Sequence, residues 1–253
     1  MIAILTVSHG TSDPLGQRAI QAYAEAIHAA VDADISAHAY VDVQEPDLST
    51  ALTSLPRRAT VVIVPLLLSR GYHLGHDIPL AAQPFGDRVV IAHALGPDDR
   101  LAHVLRRRLR EAGVSPTDHI VLAAAGSTDT AGVDDARQAA LSLGITLQRP
   151  VTVAFLSAAQ PVLADAVARH RSADGGRVAV ASYLLAPGYF HDRIRATTAD
   201  TSTPPLLTVD TAPAYELVAI AADRYSAALS VLGAGPRASD PLRARAIDDD
   251  TAP

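Results

Sequence analysis

Thr60-Val61-Val62-Ile63-Val64-Pro65-Leu66-Leu67-Leu68 decides the fold. After Thr60 it carries no polar side chain, so it has no wet face. A strand that is apolar on both faces belongs inside a parallel sheet with helices on either side. The run is also far shorter than the ~18 or more apolar residues of a membrane span. Outward from it the chain alternates in kind. Residues 2–7 predict a first buried strand, and 14–31 a helix with Ala19, Ile20, Tyr23, Ile27 and Val31 three or four apart. Residues 35–43 predict the next strand, and 46–55 a short helix with Pro46 in its first turn. A fourth strand at 88–92 and a helix at 97–112 follow. This succession implies right-handed βαβ units and a parallel sheet.

The same programme then runs again. Strands are predicted at 119–124, 151–156, 177–185 and 206–209, and helices at 134–143, 161–171, 193–198 and 213–232. Three local matches support an internal repeat. Ser8-His9-Gly10-Thr11-Ser12-Asp13 parallels Ala124-Ala125-Gly126-Ser127-Thr128-Asp129, Glu45-Pro46 parallels Gln160-Pro161, and Ser69-Arg70-Gly71-Tyr72-His73 parallels Ala186-Pro187-Gly188-Tyr189-Phe190. Their offsets are 116, 115 and 117 residues. The expected architecture is two similar three-layer α/β/α halves, 1–115 and 116–235. Residues 236–253 lack apolar periodicity and are expected to be a disordered tail.

Composition narrows the function. With 253 residues and 49% hydrophobic content the chain has ample material for a core. The absence of Cys removes disulfides, thiolate zinc sites, Cys-ligated clusters and Cys nucleophiles together. A net charge of −6 gives no support for nucleic-acid binding. The apolar N-terminus has no preceding basic residue and runs into His9-Gly10, so it reads as a strand and not a signal peptide. A cytoplasmic protein without a membrane partner is expected; the oligomeric state is left open.

The matched turns separate structure from chemistry. Each follows a strand, where parallel α/β folds bind ligands. In the first half they hold His9, Glu45 and His73; in the second, Ala125, Gln160 and Phe190. The ionisable groups therefore belong to one half, and two imidazoles with a carboxylate suit a divalent transition metal. Glu45 has a second reading, a carboxylate at a helix start beside Pro46. His76 is a candidate partner for His73, while His28 reads as exposed on a helix face and His38 as a strand residue. Gly10 and Gly126 open tight turns but sit in no phosphate-binding motif. Ser8 lacks the G-x-S-x-G setting of a hydrolase nucleophile.

Ser-His-Gly-Thr-Ser-Asp after the first strand, Val-Gln-Glu-Pro after the second, and Pro-Leu-Leu-Leu-Ser-Arg-Gly-Tyr-His-Leu-Gly-His-Asp-Ile-Pro after the third resemble the class II tetrapyrrole chelatases. More narrowly they resemble the two-repeat sirohydrochlorin chelatases, with one active and one degenerate half. The resemblance covers all but the tail. It implies insertion of Fe²⁺ into sirohydrochlorin, or of cobalt for cobalamin; a carrier of metal or tetrapyrrole without turnover is the alternative class. It implies His9, His73 and Glu45 as metal-binding and catalytic groups. The metal enters as substrate, and no tightly bound cofactor is needed. Ser8, Gly10 and Thr11 on one turn, Arg70, Gly71 and Tyr72 on another, and Phe190 opposite are the residues expected to meet the macrocycle. Arg70 stands where the family often has Pro, and is a candidate partner for a substrate carboxylate or a solvated loop residue.

Overall fold

The computed structural model describes residues 1–233; the predicted tail, 236–253, lies outside the described residues. The chain forms two four-stranded parallel sheets. In the first, β1 (Ile2–Ser8), β2 (Ile35–Tyr40), β3 (Thr60–Pro65) and β4 (Val89–Ile91) lie in the order β2-β1-β3-β4. In the second, β5 (His119–Ala124), β6 (Val151–Phe155), β7 (Val178–Tyr183) and β8 (Thr201–Ser202) lie in the order β6-β5-β7-β8. The orders are the same, strand for strand. Helices α1 (Pro14–Ala30), α2 (Leu48–Ser54), α3 (Ile78–Ala82) and α4 (Asp99–Glu111) accompany the first sheet in sequence. Helices α5 (Thr130–Leu147), α6 (Leu163–Asp174), α7 (Tyr189–Arg195) and α8 (Tyr215–Gly233) accompany the second.

Local chemistry starts corresponding helices alike. Asp13 caps α1, its carboxylate accepting the Leu15 and Gly16 amides at 2.7 and 3.3 Å. Asp129 caps α5 by accepting the Ala131 amide at 2.9 Å. That cap starts α5 four residues before the predicted 134. At α2 the cap is Asp47, so the helix begins at Leu48, and Pro46 lies before it at a cis peptide instead of in its first turn. Strands β2, β3 and β7 stop short of their predicted ends because the chain leaves the ladder at the carboxyl edge, where the site is built. The predicted strand at 206–209 is absent. Pro204 and Pro205 supply no amide donor, and the Leu206 and Leu207 amides bond the Leu184 and Leu185 carbonyls beyond β7. The final short helix is α7, which starts directly after Gly188 and not at 193.

The cores explain why the halves stay together. The outer face of each sheet packs under its own short helices in two separate clusters. The inner faces share one core that runs from Ile4, Val62 and Val64 to Leu122, Ala179 and Ala181. The helices that fill it cross over. Helix α4 packs on α5 and β7 of the second half, and α8 packs on α1, β3 and β4 of the first. Polar ties fix the crossing: the buried Tyr23 hydroxyl donates to the Leu217 carbonyl at 2.7 Å, and Arg224 Nε to the Ala94 carbonyl at 2.9 Å.

Candidate functional site

A cleft of about 680 Å³ opens between the carboxyl edges of the two sheets, lined from both halves. Its size is that of a site for a large organic ligand. His9 follows β1 directly, and His73 ends the loop that leaves β3, the neighbouring central strand. Adjacency in the sheet thus brings together two residues 64 positions apart: the ring centroids lie 4.8 Å from each other, at 83° between planes.

Both rings are oriented from behind. His9 Nδ1 donates to the Gly10 carbonyl at 3.2 Å. His73 Nδ1 donates to Asp77 Oδ2 at 2.7 Å, across one turn of a short π-helix, His73–Asp77. His76 Nδ1 donates to the other oxygen of Asp77 at 3.0 Å. Hydrogen bonds from His76 and His73 hold the Asp77 carboxyl below its ordinary range. These bonds place the ring protons on Nδ1 and leave each Nε2 with a lone pair, the arrangement in which imidazole binds a metal. Sequence reasoning offered His76 as a partner for His73; the structure puts Asp77 between them.

Glu45 is not gathered into the pair. Its Oε2 accepts the Asp47 amide at 2.9 Å, and Gln160 Oε1 accepts the Val162 amide at 3.2 Å at the matched turn of the second half. Among the described residues no three His, Asp or Glu side chains form a metal-sized cluster. Its neighbour Gln44 lines the cleft and accepts the Thr11 amide at 3.0 Å, tying the two rim turns together. Gly10, at φ +92°, lies against the Asp42 carbonyl, where a Cβ has no room; Gly126, at φ +99°, meets the Ser157 carbonyl in the same way.

Ser8, Thr11, Gly71, Tyr72 and Phe190 also line the cleft, with Tyr72 and Tyr189 exposed on opposite sides. Arg70 reaches the cleft but already has a partner. Its amide and guanidinium bind the buried Asp135 carboxylate of α5, at 2.7 Å from the amide and 2.7 Å from Nη2. It therefore tethers the His73 loop to the second half. His28 was read as exposed, yet it is half-buried and bonded to Thr6, which also reaches His38. The spacing 6–28–38 matches no motif: the strand register sets Thr6 beside His38, and α1 brings His28 to Thr6.

Known proteins share this fold. The CbiX family model matches residues 3–112 and again 119–248. The chain belongs to the CbiX family and carries two copies of it. It is similar to the sirohydrochlorin ferrochelatases of Bacillus subtilis (25% identical) and Priestia megaterium (28% identical), each match covering about three quarters of both chains. The sirohydrochlorin cobaltochelatase of Sulfurisphaera tokodaii is 28% identical over 44% of this chain and 93% of its own. The structure of SirB from Bacillus subtilis with Fe³⁺ superposes with a TM-score of 0.78 at 22% identity, covering 92% of this chain and 97% of SirB.

Proposed function

We propose that this chain is a sirohydrochlorin chelatase, a lyase-type enzyme that inserts a divalent metal ion into the macrocycle, with Fe²⁺ as the metal. The observation that carries this reading is the His9–His73 pair, with both Nε2 lone pairs free at the mouth of a ligand-sized cleft. Iron is favoured because the relatives that match along both repeats are named as ferrochelatases, whereas the cobaltochelatases match one repeat's length. Both the ion and the macrocycle are substrates, and no resident cofactor is required.

The chemistry has three demands: hold the ion, strip its water, and take two protons from the pyrrole nitrogens. His9 and His73 hold the ion. Glu45, on the rim turn beside Gln44 and outside the cleft lining, lends negative charge to the site at longer range. The walls of the cleft hold the ring so that its nitrogen lone pairs face the ion, and geometry closer to the transition state than to the flat ring favours insertion. Ser8, Gly10, Thr11, Gly71, Tyr72 and Phe190 form those walls, and Arg70 fixes the loop that carries His73.

The test is an anaerobic absorbance assay with sirohydrochlorin and Fe²⁺, Co²⁺ or Ni²⁺ in turn, at catalytic amounts of protein. Many turnovers with Fe²⁺ are expected. One equivalent of bound product without turnover would make the chain a carrier.

A further inference from the structure

Metal insertion releases two protons inside the cleft, and they need a path out. A file of hydrogen-bonded side chains leads away from it. Ser8 lines the cleft beside His9 and is otherwise buried. Its hydroxyl lies 3.2 Å from His38 Nε2, and His38 Nδ1 lies 2.8 Å from the Thr6 hydroxyl. The Thr6 hydroxyl lies 3.0 Å from His28 Nε2, with the Ala37 carbonyl as a second acceptor at 3.3 Å. His28 stands near the end of α1, half open to solvent, with Glu25 close enough to act on its charge. We propose that Ser8, His38, Thr6 and His28 form a proton relay that carries the pyrrole protons from the cleft to the surface of α1. It rests on the chelatase reading.

The step balances. A pyrrole nitrogen gives its proton to Ser8 Oγ as the Ser8 hydroxyl proton passes to His38 Nε2. His38 Nδ1 releases its own proton to Thr6, Thr6 passes one to His28 Nε2, and His28 Nδ1 gives one to water; both imidazoles then hold their proton on Nε2, and each ring turns over to restore Nδ1–H before the second proton follows. No bond other than N–H and O–H changes, and the two protons lost by the ring offset the charge of the entering ion. Hydroxyls suit this task because each can donate or accept. Burial, with His28 as a second imidazole nearby, pushes His38 down to about 4, and burial lowers His28 as well. The file therefore passes protons without retaining them.

The second half is an internal control. In the ladder Thr6 faces His38, and at the matching register Leu122 faces Val153. Ala124 stands in place of Ser8, and Leu143 and Gly144 occupy the turn of α5 that corresponds to His28. Among the described residues, the matching positions of the second half do not form this file. Thr152 and His170 do form a hydroxyl–imidazole contact in the second half at 2.9 Å, but neither lines the cleft.

The experiment compares the wild-type chain with Thr6→Val, which keeps the shape and breaks the file in the middle, and with His28→Gln at its half-exposed outer end. Thr152→Val is the control. For each folded variant, kcat for insertion, its solvent isotope effect and Co²⁺ affinity are measured. Thr6→Val and His28→Gln are expected to lower kcat at least about tenfold, with the ~10²–10⁴-fold typical of general acid–base catalysis as the upper range. The isotope effect should rise, Co²⁺ affinity should hold, and added imidazole should restore part of the rate. Thr152→Val should match the wild type. A folded Thr6→Val or His28→Gln with wild-type kcat overturns the relay while the chelatase reading stands. So does a kcat loss matched by lost Co²⁺ affinity with no isotope change. A wild-type chain that inserts no metal overturns both.

Discussion

Glu45 and Gln160 make the same bond in the two halves, so the second half shows what a neutral amide can do at this position. Glu45→Gln should keep the turn and lose only the charge. The expected result is an unchanged melting temperature with weaker metal binding and slower insertion; undiminished Co²⁺ affinity would assign Glu45 to the turn alone. His9→Ala, by contrast, should abolish insertion in a folded protein, read by circular dichroism beside the absorbance assay. The half-buried His38 makes a separate prediction. His38 titrates near 4 in the folded chain and near 6.5 when unfolded, so between these values the unfolded state holds more protons. Stability is then complete above pH 6.5 and falls as pH drops toward 4, by roughly 3 kcal/mol from this group at most. His28, also lowered, adds in the same direction. Chemical denaturation at pH 7.5, 6, 5 and 4.5 checks the slope, and His38→Gln should flatten it.

The rim turns test the elements. Gly10 and Gly126 share positive φ and a carbonyl where a Cβ would sit, so Gly10→Ala and Gly126→Ala should each cost at least the ~1–3 kcal/mol of the backbone strain alone. Only Gly10→Ala should also impair metal binding, because its turn carries His9; equal binding defects in the two variants would contradict the division of labour. These turns were legible in the sequence because the repeat wrote them twice, and the strands because their apolar runs are continuous. What was not legible depends on partners distant along the chain. Arg70 reads as a partner for a substrate carboxylate or as a solvated loop residue, and its actual partner Asp135 lies 65 residues away on another element. The helical stretch 73–88 escaped notice because Gly75, Pro79, Pro84 and Gly86 interrupt its periodicity, and it forms three short helices of different kinds. Between Gln44 and Glu45, adjacent in sequence, only the fold shows which one faces the cleft.

At the scale of the whole molecule, α4 and α8 each complete the core of the other half. Unfolding should therefore be one cooperative event, with a single calorimetric peak whose van't Hoff and calorimetric enthalpies agree. Two resolved peaks would mean that each half stands alone. The crossing has a further consequence for how such a chain can change. A chain of one repeat would leave the inner face of its sheet bare, and only a second copy could supply the matching helix. In a pair of identical chains every substitution is made twice. Within one continuous chain it is made once, so one wall of the cleft is free to diverge while the other is held. Phe190 at the place of His73, and Leu122 with Val153 at the places of Thr6 and His38, are substitutions that a symmetric pair would have to accept on both walls, losing the imidazole pair and the polar file together.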